Sequence, residues 1–368
     1  SWVGDGWDLG SNFIERSFLP CSQDKKEGSG FNNPKDDTGD LCHAVSTVTM
    51  SLNGGSTQLV RDDKTGVWRP SEDDGSRVEL LSGADNGDKK GEHWRVTTPQ
   101  GVQFHFGLNK VPGWSTGKPV TNSALLVPVY GNHPGEDCFK AGDFANSVCD
   151  QAYRWNLDYV VDPRGNAMIY WYNKEVNHYG SNYKIAGGST NRAYDRAGWL
   201  DHISYGLRKD NLFAPAPAQV DFTVAERCLK TKDFDCAQDK LKPEVDWNIA
   251  KMWPDTPGDQ LCAAKEECKA RFTPTFFTRK RLTEITTEVW NGTAHQPVDT
   301  WKLTQDFPQT GDGTDYPLWL TAVQHTGRNG KEVSLPPVTF RGKQLPNRVD
   351  GMGDGKPPYL RYRIEAID

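Results

Sequence analysis

The segments STVTMSL (46–52), NGG (53–55) and STQLVR (56–61) decide the fold of this chain. On both sides of the glycines, apolar residues alternate with polar ones, which is the period of a β-strand with one buried face. Asn-Gly between two such runs predicts a tight hairpin, because both turn residues must accept a positive φ angle. We therefore expect two antiparallel strands here.

The same arrangement recurs along the chain. Alternating runs at 92–98 and 102–106 flank a Pro-Gln-Gly turn, and runs at 153–161 and 167–172 flank Asp-Pro-Arg-Gly-Asn. Consecutive hairpins form a meander, and a long meander must curl, close or stack to protect its edges. Further strand candidates lie at 67–69, 77–81, 199–207, 220–224, 281–290, 298–305, 318–325 and 333–340.

These patterns predict an all-β fold, a long antiparallel meander of β-hairpins that forms curved sheets. The composition has no sharp break, so residues 1–368 are expected to form a single β-rich module. The cysteine-bearing segments 108–150 and 226–276 interrupt the strand pattern, and we expect them to be irregular loop excursions tied by disulfides.

Charge and composition exclude several classes of protein. The chain has 43 basic and 49 acidic residues and a net charge of −6, so we expect no nucleic-acid partner. An aromatic content of 11% is too high for a disordered chain. No run reaches about eighteen apolar residues, and we expect no membrane span. The abrupt start at Ser1, without a leader, suggests a piece of something longer.

The eight cysteines predict disulfides. Their number is even, they lie in loop-like stretches, and pairing of nearest neighbours closes local loops with separations of 21, 11, 8 and 6 residues. The sequence contains no C-x-x-C pair, so the cysteine spacing does not favour a zinc site. Disulfides imply an oxidising compartment, so we expect a secreted protein, extracellular or at the cell surface. The cysteines are Cys21, Cys42, Cys138, Cys149, Cys228, Cys236, Cys262 and Cys268.

Several short motifs resemble one family. The opening WVGDGWDL (2–9) resembles the start of an RHS/YD-repeat shell, and GWDL (6–9) is similar to the Gly-Trp-x-Leu signature of such shells. DPRGN (162–166), followed by the aromatic residues 170–172, is similar to a degenerate YD repeat. The segment NRVDG (347–351) with GDG (353–355) resembles the stretch that precedes the next module. Regular tandem YD repeats and a toxin domain are missing.

The resemblance covers bacterial RHS and wall-associated polymorphic toxins, cocoon-forming components of insecticidal toxin complexes, and teneurins. It implies the N-terminal part of a hollow shell and a non-catalytic, encapsulating role. The implied partner is the remainder of the same longer polypeptide, including a C-terminal effector. Two other hypotheses remain open: a secreted carbohydrate-active protein, either a module that binds cell-surface glycans or a glycoside hydrolase, and a cell-surface adhesion module.

Candidate functional residues are few, because no motif of a catalytic triad, metalloprotease or nucleotide site occurs. If the protein is an enzyme, we expect a glycoside hydrolase with Asp158 and Asp201 as its carboxylates, although both are more simply explained as facing solvent on polar strand faces. Aromatic residues could stack on sugar rings, although a role in the core is the simpler explanation. These candidate ligand-binding residues are Trp114, Trp171, Tyr172, Tyr179 and Tyr183.

Acidic loops offer candidate ligands for a structural Ca²⁺, because calcium prefers several hard oxygens on a flexible turn. The loops are DDTGD (36–40), DNGD (85–88), DGTD (312–315) and DGMGD (350–354). Solvated turns are the simpler explanation, since Asp and Gly are also what hairpins require. We expect no other cofactor. The candidate metal ligands are Asp36, Asp40, Asp350 and Asp354.

Overall fold

The structure is a computed structural model that describes residues 1–24, 32, 38–242, 246–314, 316–328, 330–348, 355 and 357–368. The described chain is almost entirely β, which confirms the predicted all-β fold class. One short α-helix, α1 (Trp247–Ala250), occurs among these residues. Single turns of 3-10 helix lie at Cys21–Gln23, Phe144–Asn146, Gln238–Lys240 and Gly258–Gln260.

The chain divides into two compact units. The larger unit contains Gly10–Pro217 and Gln260–Phe276, and the smaller unit contains Ser1–Leu9, Ala218–Asp259 and Phe277–Asp368. Each unit is therefore built from separate stretches of sequence. That residues 1–368 work as a single module remains a prediction.

The larger unit contains a closed ring of strands. Seven strands, β1 to β7, pair in order and antiparallel, and β9 pairs with both β7 and β1, so that eight strands form a circuit. The eleven strands of this unit are β1 (Phe13–Pro20), β2 (Leu41–Leu52), β3 (Gly55–Arg61), β4 (Trp68–Pro70), β5 (Arg77–Leu81), β6 (His93–Thr97), β7 (Gln103–Phe106), β8 (Ala124–Tyr130), β9 (Val148–Val161), β10 (Asn166–Lys184) and β11 (Gly188–Arg208).

Three further strands of this unit extend the ring. Strand β8 pairs antiparallel with β9 and parallel with β2. Strand β10 pairs with the end of β9 and then with β11, which forms the longest hairpin of the unit. The segment 108–150, which we expected to be an irregular loop, therefore contains a strand, β8. Irregular sequence on both sides of β8 hides its strand pattern.

The hairpin of residues 46–61 forms as predicted. Ser51 lies opposite Ser56, and Leu52 opposite Gly55. The turn residues Asn53 and Gly54 have φ angles of 53° and 80°, the positive values that the Asn-Gly pair accepts. Turn chemistry and strand period therefore agree at this point of the chain.

Large apolar side chains fill the ring. Trp94 and Trp155 are completely buried, and their rings meet edge to face with centroids 5.9 Å apart. Every strand of the ring contributes to this cluster, most through buried side chains and β4 through the half-buried Trp68. Its buried members are Ile14, Val48, Met50, Leu59, Val78, Trp94, Val96, Phe106, Ala124, Ala152, Trp155, Leu157 and Val160.

The smaller unit is an antiparallel sheet. Strands β12 to β15 pair in order, β15 pairs with β16 and β17, and β17 pairs with β18. Val3 packs into its core with Leu282, Leu303 and Leu320. The strands are β12 (Ala218–Glu226), β13 (Lys280–Trp290), β14 (His295–Asp306), β15 (Trp319–Gly327), β16 (Val333–Ser334), β17 (Val338–Pro346) and β18 (Leu360–Ile367).

Four disulfides join nearest neighbours in sequence, as predicted. They link Cys21 to Cys42, Cys138 to Cys149, Cys228 to Cys236, and Cys262 to Cys268. Two of these cysteines lie inside strands, Cys42 in β2 and Cys149 in β9, so the interpretation that all eight lie in loops was wrong. Among the described residues, no helix is both long enough and apolar enough to cross a membrane.

We expect loss of the Cys21–Cys42 disulfide to destabilise the protein. Both cysteines are completely buried, and their bond closes a loop of 21 residues between β1 and β2. The Cys21→Ala/Cys42→Ala variant should lose about 3 kcal/mol of unfolding free energy in urea, because its unfolded chain is less constrained. Cys262→Ala/Cys268→Ala, which opens a shorter loop, is the matched control and should lose less. Equal losses would contradict the loop-length argument.

Candidate functional site

The carboxyl group of Asp158 is completely buried in β9, so the expectation that it faces solvent was wrong. Its Oδ2 accepts hydrogen bonds from the Ser123 hydroxyl (2.7 Å), the Asn109 backbone N–H (2.8 Å) and the Thr121 hydroxyl (3.1 Å). Its Oδ1 has no hydrogen-bond partner in the part of the chain that the structure describes. Burial raises the pKa of Asp158 to about 7, and the hydrogen bonds limit that rise.

The other candidate carboxylate, Asp201, lies in β11 with 46% of its side chain exposed. One oxygen accepts a hydrogen bond from the Asn173 amide (2.7 Å), and the other lies 2.8 Å from Nδ1 of His202. Asp158 and Asp201 share no hydrogen-bond partner among the described residues. Because Asp158 has no exposed surface, it cannot contact a bound polysaccharide in this arrangement. A catalytic role for either residue remains a prediction.

Two of the candidate aromatic residues use their hydroxyl groups for hydrogen bonds inside the larger unit. The Tyr172 hydroxyl donates to the backbone oxygen of Leu157 (2.7 Å), and the Tyr179 hydroxyl donates to Asp40 (2.9 Å). Burial raises the pKa of both hydroxyls well above the ordinary value. The Tyr179 ring is completely buried and presents no face to a sugar in solution, whereas Tyr172 is half-buried.

The other three aromatic candidates also have partners within the protein. Tyr183 stacks on Phe272 with centroids 3.8 Å apart, and the Lys110 ammonium lies 3.9 Å from the centre of the Trp114 ring. Trp171 stacks on His202, whose centroid is 5.6 Å away. Since His202 also contacts Asp201, the β10–β11 hairpin brings Trp171 and Asp201 together through this histidine. It is one of two places where candidate residues within the described part of the chain are connected.

The second place is Asp40, which the sequence suggested as a calcium ligand. Its Oδ1 accepts hydrogen bonds from the Tyr179 and Ser181 hydroxyls (both 2.9 Å), and its Oδ2 accepts one from the Asn182 backbone (2.8 Å). Burial raises the pKa of Asp40, and these donors oppose the rise. Hydrogen-bond donors, which stabilise a carboxylate without a cation, thus occupy both oxygens. The other metal candidates, Asp36, Asp350 and Asp354, lie outside the described residues.

A buried ionic network in the larger unit escaped the sequence analysis. The Arg16 guanidinium donates to Glu92 (2.7 Å) and to the backbone oxygen of Ala152 (2.8 Å), and it lies 3.5 Å from Asp88. It also packs over the Trp155 ring, 4.8 Å from the centroid. Asp88 belongs to the loop 85–88 that we expected to be solvated, but its side chain is almost completely buried. No local pattern indicates this, because the network joins three distant stretches of chain.

One group of described residues has ligand atoms close enough to hold a metal ion. The ligand atoms of Asp24, His133 and Glu136 all lie within 4.8 Å of one another. The protein itself already uses these atoms, since Nε2 of His133 lies 3.0 Å from Asp24, and Glu136 accepts two backbone N–H groups of its own loop. An internal histidine–carboxylate pair accounts for this arrangement without a metal.

A cavity of about 250 Å³ lies in the smaller unit, and its lining includes Gly6 and Trp7, the first two residues of the segment GWDL. Four consecutive residues of β18, 361–364, form one wall together with Asn347. Asp5, Gly6 and Trp7 contribute to the lining with Trp319. The cavity combines aromatic rings with two arginines and Asp5, and none of the candidate site residues predicted from the sequence lines it.

Comparison with known proteins finds structural likenesses of low identity. No family model matches the sequence, and the curated proteins contain no match. The fold is similar to chains in a crystal structure of TcdB2-TccC3-TEV (15% identity, TM-score 0.44, 94% of this chain and 15% of that chain). It is also similar to the Photorhabdus luminescens Tc holotoxin pore with the mutation TccC3-D651A (14% identity, TM-score 0.43, 93% of this chain and 14% of that chain).

A third likeness covers most of both chains. It is to the N-terminal domain of effector protein SpvB from Salmonella typhimurium strain LT2 (15% identity, TM-score 0.42, 89% of this chain and 90% of that chain). The chain spans only about 15% of the length of the Tc toxin chains that it matches. Identity and TM-score are too low for these likenesses to bear on function.

The raised pKa of Asp158 predicts a pH-dependent stability. The carboxyl titrates near pH 7 when folded and near 3.8 when unfolded, so between these values the folded state binds more protons. The free energy of unfolding should therefore fall as pH rises through this window, by up to about 1.4 kcal/mol per pH unit, and level off above pH 7.

Urea unfolding of wild type and Asp158→Asn at several pH values between 5 and 8 tests this expectation. The difference in unfolding free energy between wild type and Asp158→Asn should change steadily with pH, because the amide of the variant does not titrate. Asp201→Asn is the matched control, and its curve should run parallel to that of wild type. An Asp158→Asn curve that also runs parallel to wild type would contradict the expectation.

Proposed function

We propose that the chain is a non-catalytic structural module of a secreted RHS/YD-repeat protein, one that helps to enclose an effector carried by the same longer polypeptide. The observation that carries the proposal is the closed ring of the larger unit, whose interior is filled by Trp94, Trp155 and their neighbours. A wall element needs such a rigid, self-contained unit, whereas an enzyme needs accessible reactive groups.

The state of the candidate residues supports the same role. Asp158, Asp40 and Tyr179 are completely buried and hydrogen-bonded to other groups of the larger unit. The opening motif and degenerate repeats of the sequence favour the RHS/YD type. Four disulfides support an extracellular setting.

A second candidate function is carbohydrate binding or hydrolysis, and one observation favours it. Trp171, His202 and Asp201 form a connected, partly exposed group on the β10–β11 hairpin. An aromatic face beside a carboxylate is the usual composition of a sugar-binding surface. This group would be the site if the protein acted on glycans.

Four measurements on the purified chain separate these functions. We expect no signal on a glycan array and no depolymerisation of a polysaccharide panel. We also expect the chain to form a stable complex with the separately produced remainder of its polypeptide and to shield that remainder from protease. Polysaccharide cleavage that Asp201→Asn abolishes would overturn the structural role, as would failure to associate with or protect the remainder.

A further inference from the structure

We infer that two disulfides of the larger unit form a redox-sensitive latch, which a dithiol reductant opens in a fixed order. The outer disulfide is Cys138–Cys149, and the inner disulfide is Cys21–Cys42. The outer disulfide ties residues 131–147, which we call the covering loop, to the start of β9, and this loop packs over the inner disulfide. Reduction of the outer bond therefore precedes reduction of the inner bond. This device goes beyond the structural role proposed above and does not rest on it.

The first observation is a difference in exposure between the two bonds. Both cysteines of the inner disulfide are completely buried, whereas both cysteines of the outer disulfide are only half-buried. In each of the other two disulfides of the chain, at least one cysteine is buried. A thiolate must reach a sulfur atom directly in order to exchange with a disulfide, so the outer bond is the one that a reductant attacks first.

The second observation is the cover over the inner disulfide. Cys21, Cys42 and Tyr130 form one buried cluster, and Phe144 of the covering loop packs against it. The Phe144 ring stacks on the Tyr130 ring with centroids 4.4 Å apart. Val148, which directly precedes an outer cysteine, packs against the same cluster. Residues that the outer disulfide holds in place thus shield the inner disulfide from solvent.

The covering loop also contacts the turn that contains Cys21. The Asn132 amide donates to the backbone oxygen of Asp24 (2.6 Å), and Nε2 of His133 lies 3.0 Å from the Asp24 carboxylate. Asn32 exchanges hydrogen bonds with two backbone groups of the loop. Such contacts can be replaced by hydrogen bonds to water when the loop opens, whereas the outer disulfide is covalent and cannot. Loss of the outer disulfide should therefore make opening of the loop more frequent.

The inner disulfide lies where three strands meet. Cys42 in β2 is opposite Leu19 in β1 and is also paired with Tyr130 in β8. Reduction of both disulfides should loosen this junction of the ring, because the covalent link between the end of β1 and the start of β2 is then lost. Reduction of the outer disulfide alone uncovers the junction but leaves that link in place.

The exchange proceeds in two balanced steps at each bond. A thiolate of the dithiol reductant attacks one sulfur of the outer disulfide, which forms a mixed disulfide and releases the other cysteine as a thiolate. The second thiolate of the reductant then displaces the first cysteine and closes the disulfide of the oxidised reductant. Two electrons pass to the protein, and the two protons of the reductant end on the two cysteines. The same exchange follows at the inner disulfide once the covering loop opens.

Timed reduction of the intact chain tests the order. The chain is incubated with dithiothreitol at neutral pH without denaturant, samples are quenched with iodoacetamide, and alkylation of each cysteine is measured by peptide mass spectrometry. We expect the outer disulfide to be reduced first and the inner disulfide to follow after a lag. Cys262–Cys268 is the internal reference, because it is also buried but is contacted by Asn177 and Asn191 of the β10–β11 hairpin.

Variants test the dependence of the inner bond on the outer one. Cys138→Ala/Cys149→Ala should abolish the lag and make reduction of the inner disulfide at least about tenfold faster, since local opening of the loop loses one constraint. Phe144→Ala keeps the outer disulfide and should also accelerate reduction of the inner one, because part of its cover is removed. Cys228→Ala/Cys236→Ala is the matched control and should leave the rate at the inner disulfide unchanged.

Three results would overturn the inference. The first is reduction of the inner disulfide before the outer one. The second is an inner rate that is the same in wild type, Cys138→Ala/Cys149→Ala and Phe144→Ala. The third is an equal acceleration of Cys262–Cys268 in both variants, which would mean that the whole unit unfolds and not the covering loop. Failure here leaves the structural role standing, since that role is tested by the separate glycan and protection measurements.

Discussion

Replacing Trp155 with alanine should lower the free energy of unfolding by about 3–5 kcal/mol, one of the two largest effects we expect from a single substitution. The side chain is completely buried in the ring of strands, where it meets Trp94 edge to face. Its indole N–H donates to the backbone oxygen of Glu92 (2.7 Å). Alanine would leave a large cavity and also remove one of the two donors to that oxygen, which accepts a second hydrogen bond from the Asn86 amide.

Equilibrium urea denaturation, followed by far-UV circular dichroism, measures the loss. Trp114→Ala is the matched control, because Trp114 lies in a surface loop and its indole donates to Lys118 at an exposed position. This control should change stability by less than about 1 kcal/mol. Trp155→Phe should fall between the two, since it keeps a ring but loses the N–H. A loss for Trp155→Ala no greater than that of Trp114→Ala would mean that the ring interior does not stabilise the fold.

Strand pairs close in sequence could be predicted from the residues alone, because each carries its own signal. The hairpin of residues 46–61 combines the strand period with an Asn-Gly turn, and both were confirmed. Closure of the ring could not be predicted, because it depends on β9 pairing with β1. Ile14 lies opposite Trp155, and no local pattern marks residues so far apart in sequence as partners.

The environment of Asp158 was mispredicted for the same reason. In the run 153–161, Arg154, Asn156 and Asp158 alternate with apolar residues, which favours a polar face toward solvent. In the structure, both faces of β9 are buried near Asp158, and its donors come from residues 109, 121 and 123. Periodicity identifies which residues share a face, but it cannot say what covers that face.

Acidic loops show a similar limit. The composition DNGD (85–88) is typical of a solvated turn, but Asn86 donates to the backbone oxygens of Glu92 (2.8 Å) and Gly107 (2.7 Å) from a buried position. Asp88 accepts from the Ala152 backbone (2.8 Å), far away in sequence. Turn residues can therefore be recognised locally, whereas their burial depends on distant chain.

Replacing Arg16 with methionine should also cost about 3–5 kcal/mol of unfolding free energy, because it removes the cation from a buried network while leaving its carboxylates in place. Arg16 lies between Glu92 (2.7 Å) and Asp88 (3.5 Å), and all three side chains are largely buried. Methionine can occupy much of the space beside Trp155, so the loss reports mainly on uncompensated charge. Arg154→Met is the matched control, since the Arg154–Glu15 pair (3.4 Å) is more exposed and should be worth less than about 1 kcal/mol.

A second substitution separates the contribution of charge from that of packing. Adding Glu92→Gln to Arg16→Met should restore part of the stability, because one buried charge is removed. A loss that is unchanged by Glu92→Gln would assign the effect to packing against Trp155. In that case the stability of the ring would come from its aromatic core, and the ionic network would contribute little.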